Sequence, residues 1–196
     1  QVLFERAFAG SRITHVAVRD ERSKAIWDRR LGPAGVPLAQ VCPDPAVLAG
    51  RHFPAVPKPP GPPRIGLGLT DPLALRYHTA DRSVREEALA DWMVELVKAM
   101  AAKGWQVCLF TNGSPEDRAY LQKVAPQLQA AGGEVVSVTP AFSTPADLAG
   151  FISGLDLVMA HRMHACIAAY AYAKPHIGFA WDEKLRSFFN AVGRDE

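Results

Sequence analysis

From about residue 64 onward, short apolar runs alternate with longer segments of helical periodicity. Ile65-Gly66-Leu67-Gly68-Leu69 predicts a strand. Over residues 83–103 apolar side chains recur at helical spacing (Ala88, Trp92, Leu96, Met100). Ser83 and Glu86 form a capping-box pattern at the start, and Gly104 ends the segment. Residues 106–111 predict a strand, and Ser114-Pro115 then opens a helix with serine at the N-cap and proline at the first helical position. Residues 134–138 predict another strand, and Thr144-Pro145 starts a helix in the same way. Residues 155–160, 163–173, 176–180 and 183–192 complete the series as strand, helix, strand and helix. Five strands, each followed by a helix, predict a parallel sheet covered on both faces: an α/β, Rossmann-like, doubly wound domain over residues 64–196.

The beginning of the chain has a different rhythm. Residues 1–53 offer one strand (13–18), one helix (about 22–31) and a short apolar segment near 36–41. That is too little for a doubly wound domain, and it reads as the C-terminal remnant of an N-terminal α/β domain. Between the two parts, residues 53–63 hold six prolines. Proline removes backbone donors and fixes φ, so residues 54–63 are expected to be a stiff linker rather than a helix or a central strand.

Composition narrows the class. With 48% apolar and 21% charged residues the chain suits a globular protein. A net charge of +2, with no block of Lys and Arg, argues against a nucleic-acid partner. No apolar run approaches the ~18 residues of a transmembrane helix. Cys42, Cys108 and Cys166 are far apart, without CxxC or Cys/His spacing, and are expected to be reduced, mostly buried thiols rather than zinc ligands. The chain opens on Gln1, shows no signal-peptide pattern and is read as a piece of a longer protein.

Arg162-Met163-His164 carries the strongest chemical signal. It falls at a strand-to-helix junction, and in open α/β sheets ligands bind at the carboxyl ends of strands. A helix start turns backbone N–H groups and the positive end of its dipole toward an anion, and arginine adds a bidentate fork. An imidazole beside such an anion is favoured in its protonated, proton-donating form. About twenty residues on, Trp181-Asp182-Glu183-Lys184 follows the next apolar run, with Lys184 as a point charge for phosphate and Asp182 as the N-cap of the last helix. On spacing alone, Arg162 and His164 also fit an ion-paired arginine and a backbone-capped histidine, and Lys184 a solvated helix-start lysine. His161 is expected to be structural. Arg19-Asp20 follows the first strand: Asp20 can cap the next helix, with Ser23 three positions on, and Arg19 either points into a cleft or belongs to a surface turn. Gly66-Leu67-Gly68 lacks the third glycine of a dinucleotide fingerprint, and Thr111-Asn112-Gly113-Ser114 is either a substrate-touching loop or a plain turn.

Together these pieces resemble the polysaccharide pyruvyl transferase family. The matching text is Val18-Arg19-Asp20-Glu21-Arg22-Ser23, then Pro43-Asp44-Pro45, then 156–164 with its Arg162-Met163-His164, and finally 175–184 ending in Trp181-Asp182-Glu183-Lys184. Trp181 stands where the family more often has tyrosine. The resemblance implies the C-terminal half of a GT-B-type architecture and transfer of the pyruvyl group of phosphoenolpyruvate to a sugar as a cyclic ketal. It maps Arg19, Arg162, His164 and Lys184 onto the family's functional positions. His164 and Arg162 are then the catalytic pair, and Arg19, Lys184 and Arg162 bind substrate. It implies no cofactor beyond the donor, no metal, and a lipid- or nucleotide-linked sugar acceptor of a cell-envelope polysaccharide. It further implies a cytoplasmic location, with peripheral membrane association through the acceptor. The family's glycine-rich N-terminal opening is not in this sequence, so about half of a GT-B cleft is expected to be missing, which puts acceptor binding and activity of the piece alone in question. Two other functions compete. A GT-B nucleotide-sugar glycosyltransferase would use Asp182 or Glu183 for the ribose. A non-catalytic anion-binding or interaction domain would bind without turnover.

Overall fold

The computed structural model describes residues 6–8, 12–78 and 85–194, which divide into two compact units. The smaller comprises residues 1–45 with 186–196, the larger residues 46–185.

In the smaller unit, strand β1 (Ala17–Val18) is followed by helix α1 (Glu21–Leu31) and strand β2 (Gln40–Val41), which pairs parallel to β1. Asp20 caps α1 by accepting the Ser23 N–H at 2.7 Å, as the Asp-x-x-Ser spacing predicts. Asp28 accepts the Ala39 N–H at 2.8 Å, and the Trp27 indole donates to the Pro37 carbonyl at 3.0 Å. These bonds hold the segment near 36–41 against the helix, so that two of its residues form a strand.

The larger unit is a five-stranded parallel sheet in the order β5-β4-β3-β6-β7. Its strands are β3 (Arg64–Gly68), β4 (Gln106–Phe110), β5 (Val136–Val138), β6 (Leu157–Ala160) and β7 (His176–Gly178). Its helices are α2 (Ala49–His52), α3 (Pro72–His78), α4 (Glu86–Ala101), α5 (Pro115–Gly132), α6 (Pro145–Ser153) and α7 (Met163–Ala171). Helix α8 (Glu183–Ala191) begins in this unit. The predicted α/β parallel sheet is therefore present. Two helices, α2 and α3, lie where the sequence predicts none. The predicted strand over 13–18 shortens to its last two residues; α4 starts at Glu86 behind Arg85 as N-cap, without a side-chain cap, rather than behind Ser83, which itself lies outside the described residues.

Alternation along the strands builds the core. Ile65, Leu67 and Leu69 of β3 and its extension pack with Val107 and Leu109 of β4 against α4 and α5. The buried stripe of α4 is Ala90, Met93, Val97 and Met100, not the expected Ala88, Trp92, Leu96, Met100. This helix is apolar over a wide arc, so two helical stripes are legible, and packing selects the one centred on Met93 and Val97. Trp92 is left at the margin, 42% exposed and edge-on to Phe179. On the other sheet face, a Cβ at Gly68 would fall 2.8 Å from Ala160 Cβ and 3.1 Å from Phe110 Cζ. Gly66 and Gly68 thus allow Phe110 and β6 to approach closely, a packing reason for the pair.

The proline-rich stretch is docked onto the larger unit. Lys58 Nζ bonds Asp156 at 2.7 and 3.0 Å, and the Val56 N–H donates to Ser153 Oγ at 2.9 Å. Asp156 also accepts the Arg64 N–H at 2.7 Å, pinning the amino ends of β3 and β6. Upstream, α2 packs on α7: a Cβ at Gly50 would lie 2.7 Å from the Ala171 carbonyl oxygen, and the Tyr172 hydroxyl donates to the Phe53 carbonyl at 2.8 Å. The unit accordingly begins near residue 46, ahead of the expected 64. Among the described residues, no helix is long and apolar enough to cross a membrane. Cys108 and Cys166 are buried and Cys42 is exposed.

Candidate functional site

Strand order reverses between β3 and β6, and the carboxyl ends of those strands flank the crevice where open α/β sheets bind ligands. Arg162 follows β6 directly and is the N-cap residue of α7, with no side-chain cap and no acidic residue in the first turn. The other capped starts in this unit differ: Ser114 caps α5 and Thr144 caps α6. The dipole of α7 is therefore unanswered by its own sequence, which suits an anion there. His164 lies exposed in that first turn.

Arg162 is held by Asp117. Its Nε and Nη2 donate to the two carboxylate oxygens at 2.8 Å each, a bidentate pair whose acid is fully buried. Asp117 Oδ1 also accepts the Asp71 N–H at 2.8 Å, and the Asp117 N–H is taken by Ser114 Oγ at 3.1 Å. One carboxylate thus ties together the segments after β3, β4 and β6. The sequence marks Asp117 only as an acid in a first helical turn, a dipole-complementing position, and gives no sign of its partner 45 residues away. The ion pair does not consume the arginine. Two donors are committed, and 31% of the side chain remains exposed.

The loop after β7 adjoins this point. Trp181 Nε1 donates to the His161 carbonyl at 2.6 Å, and the Arg162 guanidinium carbon lies 6.0 Å from the Trp181 ring centroid. Asp182 Oδ1 accepts the Leu185 N–H at 2.9 Å, the capping role expected of it, and Lys184 is exposed in the first turn of α8. The strand-end loops carrying Arg162 and Trp181 therefore meet, with Lys184 three residues further along. Arg19 belongs to the smaller unit, where its Nη1 pairs with Asp44 Oδ2 at 3.4 Å, joining two of the motif segments. Among the described residues, no group of three or more His, Cys, Asp or Glu gathers as a metal site would require.

His161 has the structural character expected of it. It is buried, tilted against Phe179 at 4.8 Å, and bonded to the Gly68 backbone, while its Nδ1 has no partner. Burial, and secondarily Arg162, push its pKa down to about 4 from 6.5, against the pull of the Gly68 bond and Asp117. The folded ring is neutral while the unfolded ring takes up a proton below pH 6.5. Stability present above that pH is therefore lost as pH falls toward 4, by roughly 3 kcal/mol. Urea midpoints measured from pH 7.5 to 4 should show this decline, and His161→Gln should flatten it. A decline of equal slope in the variant would assign the acid sensitivity elsewhere.

The polysaccharide pyruvyl transferase family model matches residues 4–183, which include the loops after β3, β4, β6 and β7. The chain belongs to the polysaccharide pyruvyl transferase family. Arg162, His164 and the Asp117 clamp are thus features of a polysaccharide pyruvyl transferase family chain. No curated protein matches the sequence. Among solved structures, an O-GlcNAc transferase variant from Thermobaculum terrenum matches at 15% identity and a TM-score of 0.47, over 73% of this chain and 26% of that one. The chain therefore spans about a quarter of that protein's length. A universal stress protein in complex with cAMP matches at 15% identity and a TM-score of 0.40, over 63% of this chain and 100% of that one.

Proposed function

We propose that this chain carries the donor-binding and proton-donating part of a transferase that moves the pyruvyl group of phosphoenolpyruvate onto a sugar diol. The observation that carries this reading is Arg162. It is clamped by a buried carboxylate yet partly open, at an uncapped helix start with His164 in the same first turn, within a chain of this family.

Arg162 and the first-turn N–H groups of α7 hold the donor phosphate, with Lys184 as a further positive charge. His164 gives a proton to the methylene carbon, which becomes a methyl group, and the double-bond electrons form the new C–H bond. Positive character develops at the former enol carbon, and the first sugar hydroxyl adds there, its proton returning to His164. The C–O bond to phosphate then breaks with its electron pair on phosphate, which Arg162 and Lys184 stabilise. The second hydroxyl closes the ketal, and its proton leaves with the phosphate. No external oxidant, reductant or metal enters the balance. The acceptor is a lipid- or nucleotide-linked sugar met at the inner face of the membrane.

Phosphate release from phosphoenolpyruvate, followed with the intact protein across a panel of lipid-linked and nucleotide-linked sugars, tests the proposal. Sugar-dependent release with stoichiometric ketal is expected. Absence of release with every acceptor, or release of a nucleoside diphosphate from a sugar nucleotide instead, would overturn it.

A further inference from the structure

A hollow of about 250 Å³ opens at the carboxyl edge of β4, between residues 111–113 and the start of α6. Its lining is of two kinds. Phe142 presents a half-buried ring, backed by Phe110 and Phe151 at centroid distances of 6.4 and 5.3 Å, with Leu148 beside it. Asn112, Arg118 and Thr111 supply polar groups. Thr111 is only 8% exposed, and its Oγ1 has no hydrogen-bond partner. A buried hydroxyl without a partner is uncommon and marks a place where a ligand group would be satisfied.

Charge selects the ligand. The helix starts at the hollow already have their own acids. Asp117 of α5 is spent on Arg162, and Asp147 of α6 accepts the N–H groups of Ser143 and Thr144 at 3.1 and 2.9 Å. Arg118 donates to the Gly113 carbonyl at 3.2 Å. An incoming anion would meet helix dipoles that are already compensated. A neutral ring with one apolar face and a rim of hydroxyls fits better: the apolar face lies on Phe142, and the hydroxyls meet the amide, the guanidinium and Thr111. The lining loop runs directly into Ser114 and Asp117, so a ligand here sits beside the residue that holds Arg162.

We propose that this hollow is a saccharide subsite seating one pyranose ring of the acceptor; its ligand class rests on the transferase reading above. Saturation-transfer NMR with the methyl glycosides of glucose, galactose, mannose and N-acetylglucosamine tests it on the full chain, alongside calorimetric titration with phosphoenolpyruvate. Saturation should reach the ring protons of at least one glycoside. It should fall by about fivefold or more in Phe142→Ala and in Asn112→Ala, consistent with the loss of one aromatic or polar contact. Phosphoenolpyruvate affinity should stay unchanged in both. Asn112 lies on the loop, so that variant keeps the test open if Phe142→Ala fails to fold. No saturation of any glycoside, or saturation undiminished in Asn112→Ala and in folded Phe142→Ala, would overturn the subsite. Glycoside binding that depends on these residues without phosphoenolpyruvate binding would sink the transferase reading and leave the saccharide subsite standing. The reverse pattern would remove the subsite alone.

Discussion

Asp117→Ala is expected to cost about 3 kcal/mol of stability and to lower the thermal midpoint by about 10 °C. The carboxylate is fully buried and accepts three hydrogen bonds: two from Arg162 and one from the Asp71 backbone. Removing it leaves a buried N–H and a partly buried guanidinium without their acceptor, and releases three strand-end segments from one another. Phosphate release from phosphoenolpyruvate should fall by about 100-fold as well, since Arg162 would lose the support that aims its free donors. Asp117→Asn retains an acceptor oxygen for Asp71 but loses the charge, so it should fold better than the alanine variant and still turn over slowly. Calorimetry and the phosphate-release assay on both variants check this. An alanine variant with native stability and native rate would mean that Arg162 needs no clamp.

That clamp also shows what the sequence made legible and what it hid. Several local signals are realised by local bonds. Asp20 caps α1, Thr144 and Asp147 form the capping box of α6, and Gly104 ends the α4 segment in the left-handed region at φ +71°. The alternation of strands and helices, with the central runs of β3, β4 and β6 buried on both faces, was enough for the parallel sheet. Arg162 and His164 were legible as a strand-end pair. Asp117 was not, because its partner comes from the far side of the order reversal in the sheet, and periodicity carries no information about such pairing. Helix α2 was hidden for a similar reason. Ala49–His52 is a single turn with little helical propensity of its own, formed where Gly50 can approach the Ala171 carbonyl. The proline-rich stretch reads as a linker on composition, yet Lys58 and Val56 find partners nearly a hundred residues away.

The two acids of β3's neighbourhood divide the work of the sheet. Asp156 fixes the amino ends of β3 and β6 through Arg64 and Lys58, where no ligand is expected. Asp117 fixes the carboxyl ends, where the same kind of bond also positions a cation. Placement makes the first structural, and the second joins the donor site through the role proposed for Arg162.

His164→Gln should separate chemistry from folding most cleanly. His164 is exposed on the first turn of α7, so glutamine there should leave the thermal midpoint within about 2 °C of the parent. Glutamine keeps a polar side chain of similar reach but cannot act as the acid. Sugar-dependent phosphate release should therefore fall by about a thousandfold. Phosphoenolpyruvate should still bind, because the proposal places the phosphate contacts on Arg162, the helix start and Lys184. Lys184→Ala should show the opposite pattern, weaker phosphoenolpyruvate binding with a smaller loss of maximal rate, since the ammonium acts on a charge present both before and during phosphate departure. The comparison discriminates between roles that a single variant leaves merged. Full turnover in His164→Gln would transfer the proton-donating role to another group. A His164→Gln protein that neither turns over nor binds phosphoenolpyruvate would make the imidazole a binding group rather than the acid.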